Sequence, residues 1–418
     1  MRQPRKHLDR IGSRPTTVCP QKGLLRVEVM TGFPLVIIAV LFCLNALDGF
    51  DALAISFAAP GITHEWGTPP QALGVVISLG LLATGLGSLV VAPLADRIGR
   101  RPLIFASLGS MATGMLICAA APGIMTLSVG RLFTGLGVGA LVPCISALTA
   151  ENCSPRYKER GVIIMAIGFP TGGLVGGQAA ALLLQHFDWR SVFIAGGVTT
   201  AALTLAPLFW VPESHEYETA GRGSSPLNIL TQPALLALTL LSTLTYGFHG
   251  ATLYYSLNWI PKIVVDLGLS ASQAAATAAW CSGGGILGAV AAAWLATRVE
   301  IRLLTGVALT GAAVFLWLFA HTPGEPSALL AASLLLGAFL YGAQVSLYAL
   351  MTRSFPTYAR ATGVGFVTGV GRLGSIVSPV VAGYLLGMAL PYSRVSTFMA
   401  LGSLLGAVAL GAARKRLA

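Results

Sequence analysis

Residues 42–56 read FCLNALDGFDALAIS, and this stretch decides what kind of chain it belongs to. Apolar side chains fill almost every position around Asp48 and Asp51, with no alternation of polar and apolar residues. A strand of a membrane barrel alternates over about 10 positions. A run that is apolar all round is instead a helix surrounded by apolar matter, and about 20 such residues cross a bilayer. Moving outward with a window of that length gives spans centred near Asn45, Leu82, Ser110, Gly137, Thr171, Ala202, Tyr246, Gly284, Gly311, Ala338, Gly374 and Ser403. The composition agrees, with 55% hydrophobic and only 10% charged residues over 418 positions, where soluble domains carry about 25% charged residues. A disordered chain, a disulfide-stapled secreted scaffold and a basic nucleic-acid-binding protein are all disfavoured. The expected fold class is an all-α membrane protein of twelve transmembrane helices in two six-helix bundles.

Orientation follows from the basic residues, because cytoplasmic loops carry the excess of Lys and Arg. With a cytoplasmic N-terminus, 21 of the 26 Lys and Arg fall inside, and only Arg190, Lys262 and Arg394 fall outside. Arg131 and Arg372 lie within spans. Both termini are therefore expected in the cytoplasm, and the net charge of +11 reads as an orientation and anionic-lipid signal. Residues 1–31 are basic and polar, with no short apolar core and cleavage site, so no cleavable signal peptide is expected. The six cysteines show no metal-ligand spacing and read as small packing residues.

Sliding the chain against itself by 201 residues superposes Pro60 on Pro261, Arg97 on Arg298, Arg101 on Arg302, Gly168 on Gly369 and Gly173 on Gly374. The same offset places Asp48-Gly49 on His249-Gly250. Six spans separate the partners, so the halves share one topology, the parallel repeat used by transporters with 6+6 helices. The expected organisation is a basic cytoplasmic segment 1–31, a six-helix bundle 32–211, a cytoplasmic linker 212–232, a second bundle 233–413 and a tail 414–418.

An ionisable group inside a span costs about 2.5–3.5 kcal/mol on the insertion scale, which makes each one a functional candidate. Asp48 and Asp51 are three apart and share a helix face, with Asn45 one turn below. Two carboxylates so close in a low-dielectric cavity do not both ionise easily, and the pair is the candidate proton carrier. At 1.5 Å per residue, Arg131 and Asp51 both lie about 9 Å outward of their span centres. Their pairing would leave Asp48 as the freer site. Arg372 lies near the middle of its span in GVGRLGSIVSP and suits bidentate binding of a carboxylate, as an alternative to Arg131. His249 and Tyr246 in the seventh span, and Tyr341, Gln344 and Tyr348 in the tenth, complete the candidate substrate contacts together with Asn45. Asn258 and Trp259 read as an anchor at the outer membrane interface. The glycines of GFPTGGLVGGQ, 168–178, read as a surface for close helix packing. No nucleophile–base set, nucleotide loop or metal motif appears, so neither an enzyme nor a cofactor is expected.

The loop APLADRIGRRPL, 92–103, resembles the signature of the major facilitator superfamily in Asp96, Arg97, Gly99, Arg100 and Arg101, with Ala92 where that family has glycine. Within it, the chain is similar to the aromatic acid:H+ symporters in Asp48-Gly49-Phe50-Asp51, in PCISALTAE ending at Glu151, in NWIP at 258–261, and in RATGVGFVTGVGRLGSIVSP at 360–379. The resemblance implies uptake of a small aromatic carboxylate across a bacterial inner membrane, with H+ as coupling ion, no metal and a monomeric carrier. It also implies a cytoplasmic gate formed by Asp96, Arg97, Arg100, Arg101 and Glu151. A proton-coupled drug antiporter of the same fold is the alternative, but such antiporters place G-x-x-x-G-P-x-x-G-G in the fifth span. Here Pro170 stands before Gly172-Gly173 but follows Phe169, not a glycine.

Overall fold

A computed structural model of the protein describes residues 33–153, 158–211, 233–356 and 360–417. The basic segment 1–31 and the linker 212–232 lie outside them. The first half contains α1 (Phe33–Trp66), α2 (Pro70–Leu86), α3 (Arg100–Ala119), α4 (Ile124–Asn152), α5 (Lys158–His186) and α6 (Arg190–Leu203). The second contains α7 (Pro233–Asp266), α8 (Ala271–Leu295), α9 (Ile301–His321), α10 (Pro326–Ser354), α11 (Arg360–Gly387) and α12 (Tyr392–Leu417). Each helix starts 200–202 residues after its counterpart. Among the described residues, ten helices are long and apolar enough to cross a membrane. α6 is shorter and is followed after Thr204-Leu205 by a turn of helix, Ala206–Trp210. Pro207 in that turn has no N–H to extend the ladder, which accounts for the break.

The duplication is visible in backbone detail. The turns after α1 and α7 both place a glycine in the left-handed region, Gly67 at φ 60° and Gly268 at φ 95°, where a side chain would be strained. Pro60 and Pro261 lie inside α1 and α7 at the same register. α2 ends irregularly: a π segment at Gly87–Val91, a 3-10 turn at Ala92–Leu94 and one turn of helix at Ala95–Ile98. Gly99, at φ 97°, then lets the chain reverse directly into α3. That conformation is the physical reason for the glycine in the ADRIGRR loop.

Apolar packing is asymmetric along the bundle axis. At the end away from the termini, one continuous core joins the halves. It runs from Leu53, Phe57, Ile62 and Phe193 of the first half to Tyr255, Trp259, Ile263 and Phe319 of the second. At the terminus end each half keeps its own core, around Leu41, Leu108 and Leu141 in one and Leu238, Met351 and Val367 in the other. Small residues let the halves meet: a Cβ on Gly177 of α5 would strike Ala279 of α8, and one on Gly74 of α2 would strike the Pro379 carbonyl of α11. Asn258 and Trp259 belong to this joint rather than to a membrane interface. Trp259 is fully buried, and Asn258 accepts a 3.0 Å hydrogen bond from Ser56 of the opposite half. Their position within the twofold joint overrides the usual preference of terminal Trp for lipid headgroups.

Candidate functional site

The acid pair of α1 sits where α1, α4, α5 and the second half converge. A Cβ on Gly49 would overlap the Phe169 carbonyl, and Gly168 and Gly172 of α5 lie equally close to Phe42 and Ala46. These contacts fix the rotation of α1 and hold both carboxylates inward, with Asp48 6% and Asp51 2% exposed. The glycine-rich fifth helix is thus a packing surface for α1 on one side and α8 on the other.

Asp51 is partnered. Arg131 Nη1 donates to Asp51 Oδ1 at 3.3 Å and to the Asp51 carbonyl at 3.2 Å, and Arg131 is itself 5% exposed. The guanidinium fits because α2 presents Gly80, whose missing Cβ would lie 3.2 Å from Nε and Nη2. Asp48 differs. Among the described residues it makes no hydrogen bond, and Asp51, Arg372, Tyr254 and Tyr341 lie within electrostatic range of it.

Arg372 faces Asp48 from the other half, within electrostatic range but without an ion pair. Its Nη1 donates to Ser88 Oγ of α2 at 3.4 Å, inside the π segment that bends α2. Around it stand Tyr246, Tyr254 and Tyr348, all within its electrostatic reach. Tyr246 and Tyr348 share a hydroxyl hydrogen bond of 3.2 Å with their rings edge to face. Gln344 Nε2 donates to the Tyr246 hydroxyl at 3.0 Å. Tyr341, one turn earlier on α10, meets Phe169 of α5 across the joint, with ring centroids 6.5 Å apart. The structure therefore brings Asp48, Arg372, Tyr246, Gln344 and Tyr341 together where the halves face each other. It adds Tyr254, Phe169 and Ser88, which sequence reasoning missed. The four-residue spacing of Tyr246, Gly250 and Tyr254 on α7 was the available signal for Tyr254.

Two expected substrate contacts are engaged elsewhere. Asn45 donates from Nδ2 to the carbonyls of Met165 at 2.9 Å and Ala166 at 3.3 Å, tying α1 to α5. His249 is fully buried inside the second half. Its Nε2 lies 3.1 Å from the Leu340 carbonyl and its Nδ1 2.9 Å from Ser403 Oγ. A carbonyl only accepts, so Nε2 carries a proton and donates to Leu340, while Nδ1 pairs with the Ser403 hydroxyl. Both ring nitrogens are used, and neither is left for a ligand.

At the terminus end, Arg100 forms an ion pair with Glu151, linking the start of α3 to the end of α4. Arg101 lies 6.0 Å from the Phe105 ring centroid, and Arg97 is exposed and has interactions of its own. The side chain of Asp96 lies outside the described residues. At the opposite end, Arg190 clasps Glu65 with two hydrogen bonds of 2.7 and 2.8 Å, closing α6 onto α1.

The architecture, two topologically equal six-helix halves facing each other across buried charges and tyrosines, is that of a membrane transporter and not of an enzyme. The chain belongs to the Major Facilitator Superfamily, whose family model matches residues 41–379 and 260–416. It is 31% identical to the 4-hydroxybenzoate transporter PcaK of Pseudomonas aeruginosa, over 93% of this chain and 94% of that protein. It is 32% identical to the 3-(3-hydroxy-phenyl)propionate transporter of Escherichia coli, over 84% of this chain and 87% of that protein. Among solved structures, a point mutant of the nucleoside transporter NupG shares the fold with a TM-score of 0.75 at 14% identity, covering 91% of this chain and 99% of that one.

Proposed function

We propose that the protein takes up a small aromatic carboxylate together with protons, by alternating access, through a bacterial inner membrane. It crosses that membrane twelve times, with both termini cytoplasmic. Asp48 carries the proton. This is the observation on which the proposal chiefly rests: a buried carboxylate facing the other half, without a hydrogen bond among the described residues, one turn from a second acid whose arginine is already in place. Arg372 holds the substrate carboxylate, offering a planar fork that a point charge does not match, between tyrosines that flank an aromatic ring.

The energetics favour coupling. An aromatic acid is an anion at neutral pH, and an inside-negative potential opposes its entry by about 2.3 kcal/mol per 100 mV. One co-transported proton removes that penalty and lets the pH gradient drive accumulation. Neutralising Asp48 also changes the charge seen by Arg372, so proton and substrate each alter the other's binding through one pair of groups. The continuous core at the far end and the separate cores at the terminus end support an inward-facing state. The opposite state would break the far-end joint and bring the Asp96–Arg101 loop, with Arg100 and Glu151, into a closed cytoplasmic gate.

Uptake of radiolabelled aromatic acids into proteoliposomes, with and without an inward proton gradient, tests this reading. Gradient-driven accumulation of at least one such acid is expected. No uptake of any aromatic acid, with proton-driven extrusion of a hydrophobic cation instead, would replace it with a drug antiporter.

A further inference from the structure

On the side of α10 that faces the first half, two buried polar atoms lack a hydrogen-bond partner among the described residues: Gln344 Oε1 and the Tyr341 hydroxyl. Buried polar atoms are normally paired, and each exception asks for an explanation. The two residues are three apart and so share one face of the helix. Gln344 is not free to turn its amide at random, since its Nε2 donates to the Tyr246 hydroxyl, which is bonded in turn to Tyr348. In this arrangement the amide gives its donor to Tyr246 and leaves its carbonyl oxygen as the open acceptor. Tyr341 is also fixed, its ring seated on Gly285, where any Cβ would collide with it. Its hydroxyl interacts with that of Ser282 on α8 but makes no well-formed hydrogen bond with it.

We propose that Gln344, positioned by Tyr246, is a specificity-determining residue that selects aromatic acids carrying a ring hydroxyl. The phenolic O–H donates to Gln344 Oε1, and Tyr341 O–H donates to the phenolic oxygen. A phenol is both donor and acceptor, and the pair of orphaned atoms supplies one of each. An unsubstituted ring would leave the amide oxygen buried and unpaired in the bound state. A site built to bond a hydroxyl discriminates against the analogue that lacks one for this reason. The inference rests on the reading that this site binds an aromatic carboxylate.

The test uses the full-length protein in proteoliposomes, with benzoate, 3-hydroxybenzoate, 4-hydroxybenzoate and 4-methoxybenzoate competing for uptake of a labelled aromatic acid. One hydroxybenzoate isomer should compete roughly three- to tenfold more tightly than benzoate, the range expected for one net hydrogen bond. The methoxy compound, which keeps the oxygen but has no proton to donate, should lose that advantage. In Gln344→Leu the ratio of hydroxybenzoate to benzoate affinity should fall toward one, and in Tyr341→Phe it should fall in part. Equal competition by benzoate and both hydroxybenzoates in the wild type, or an unchanged ratio in Gln344→Leu, overturns the inference and leaves aromatic acid transport standing. If no aromatic acid competes or is taken up, the underlying reading fails and this one with it. If Gln344→Leu does not fold, the wild-type series and Tyr341→Phe still decide.

Discussion

Removing the guanidinium of Arg131 should damage stability far more than removing the pair it belongs to. The ion pair has Nη1 3.3 Å from Asp51 Oδ1, with both side chains almost fully buried. At an effective dielectric constant of about 20, that separation corresponds to about 5 kcal/mol of Coulomb attraction. Desolvation of the two ions offsets much of it, so the pair as a whole contributes little net stability. Arg131→Met deletes the attraction and leaves the desolvation of Asp51 uncompensated, a loss of about 3–5 kcal/mol. Asp51→Asn combined with Arg131→Met removes both charges and should recover most of that loss. The assay is thermal unfolding in detergent, read by a thiol-reactive dye at the buried Cys118 and Cys281. The single variant should lower the apparent Tm by roughly 6–10 °C, at about 2 °C per kcal/mol for a large domain, and the double variant by much less. A single variant as stable as wild type, or a double variant whose loss equals the sum of the two singles, would refute the structural role assigned to the pair.

Arg372→Lys should raise KM for the aromatic acid by about tenfold or more, because the ammonium replaces a two-pronged contact with a point charge. An unchanged KM in an uptake assay would remove Arg372 from substrate binding. Gly74→Leu places a side chain against the Pro379 carbonyl at the far-end joint, and overpacking there costs about 1–3 kcal/mol. The halves should part at that end, so spin labels at positions 68 and 389 should report a longer distance. An unaltered distance distribution would contradict the assigned joint. His249→Ala should lower stability by about 1–3 kcal/mol, since the Leu340 carbonyl and Ser403 lose their partner, while proton-driven uptake persists. Loss of coupling with an unchanged Tm would give His249 a part in transport that its two hydrogen bonds do not suggest.

The helical membrane architecture was legible because it rests on composition and on the 201-residue offset, both one-dimensional properties. The Asp51–Arg131 pair was legible for a similar reason. Depth in a membrane converts directly to residue count, so two opposite charges at equal depth on neighbouring helices could be matched without coordinates. What failed depended on partners far away in sequence. His249 aligns with Asp48 and resembled a ligand contact, but Leu340 and Ser403 saturate it from helices 91 and 154 residues away. Asn45 shares the acid face of α1, yet its amide nitrogen is turned to two carbonyls of α5. Trp259 had the composition of a headgroup anchor, but it is fully buried in the core shared by the two halves. The asymmetry between the joined and separated ends could not be read at all, because a chain that alternates between two states must encode both.

The measurement that bears most directly on Asp48 as proton carrier compares two reactions of Asp48→Asn in proteoliposomes. One is accumulation of an aromatic acid driven by an inward proton gradient, and the other is exchange of labelled for unlabelled acid at zero gradient. The variant keeps the size and burial of the side chain but cannot take up and release a proton at that position. Exchange should continue while uphill accumulation disappears. Accumulation by Asp48→Asn at the wild-type level, with the same dependence on the proton gradient, would show that the coupling proton travels by another route.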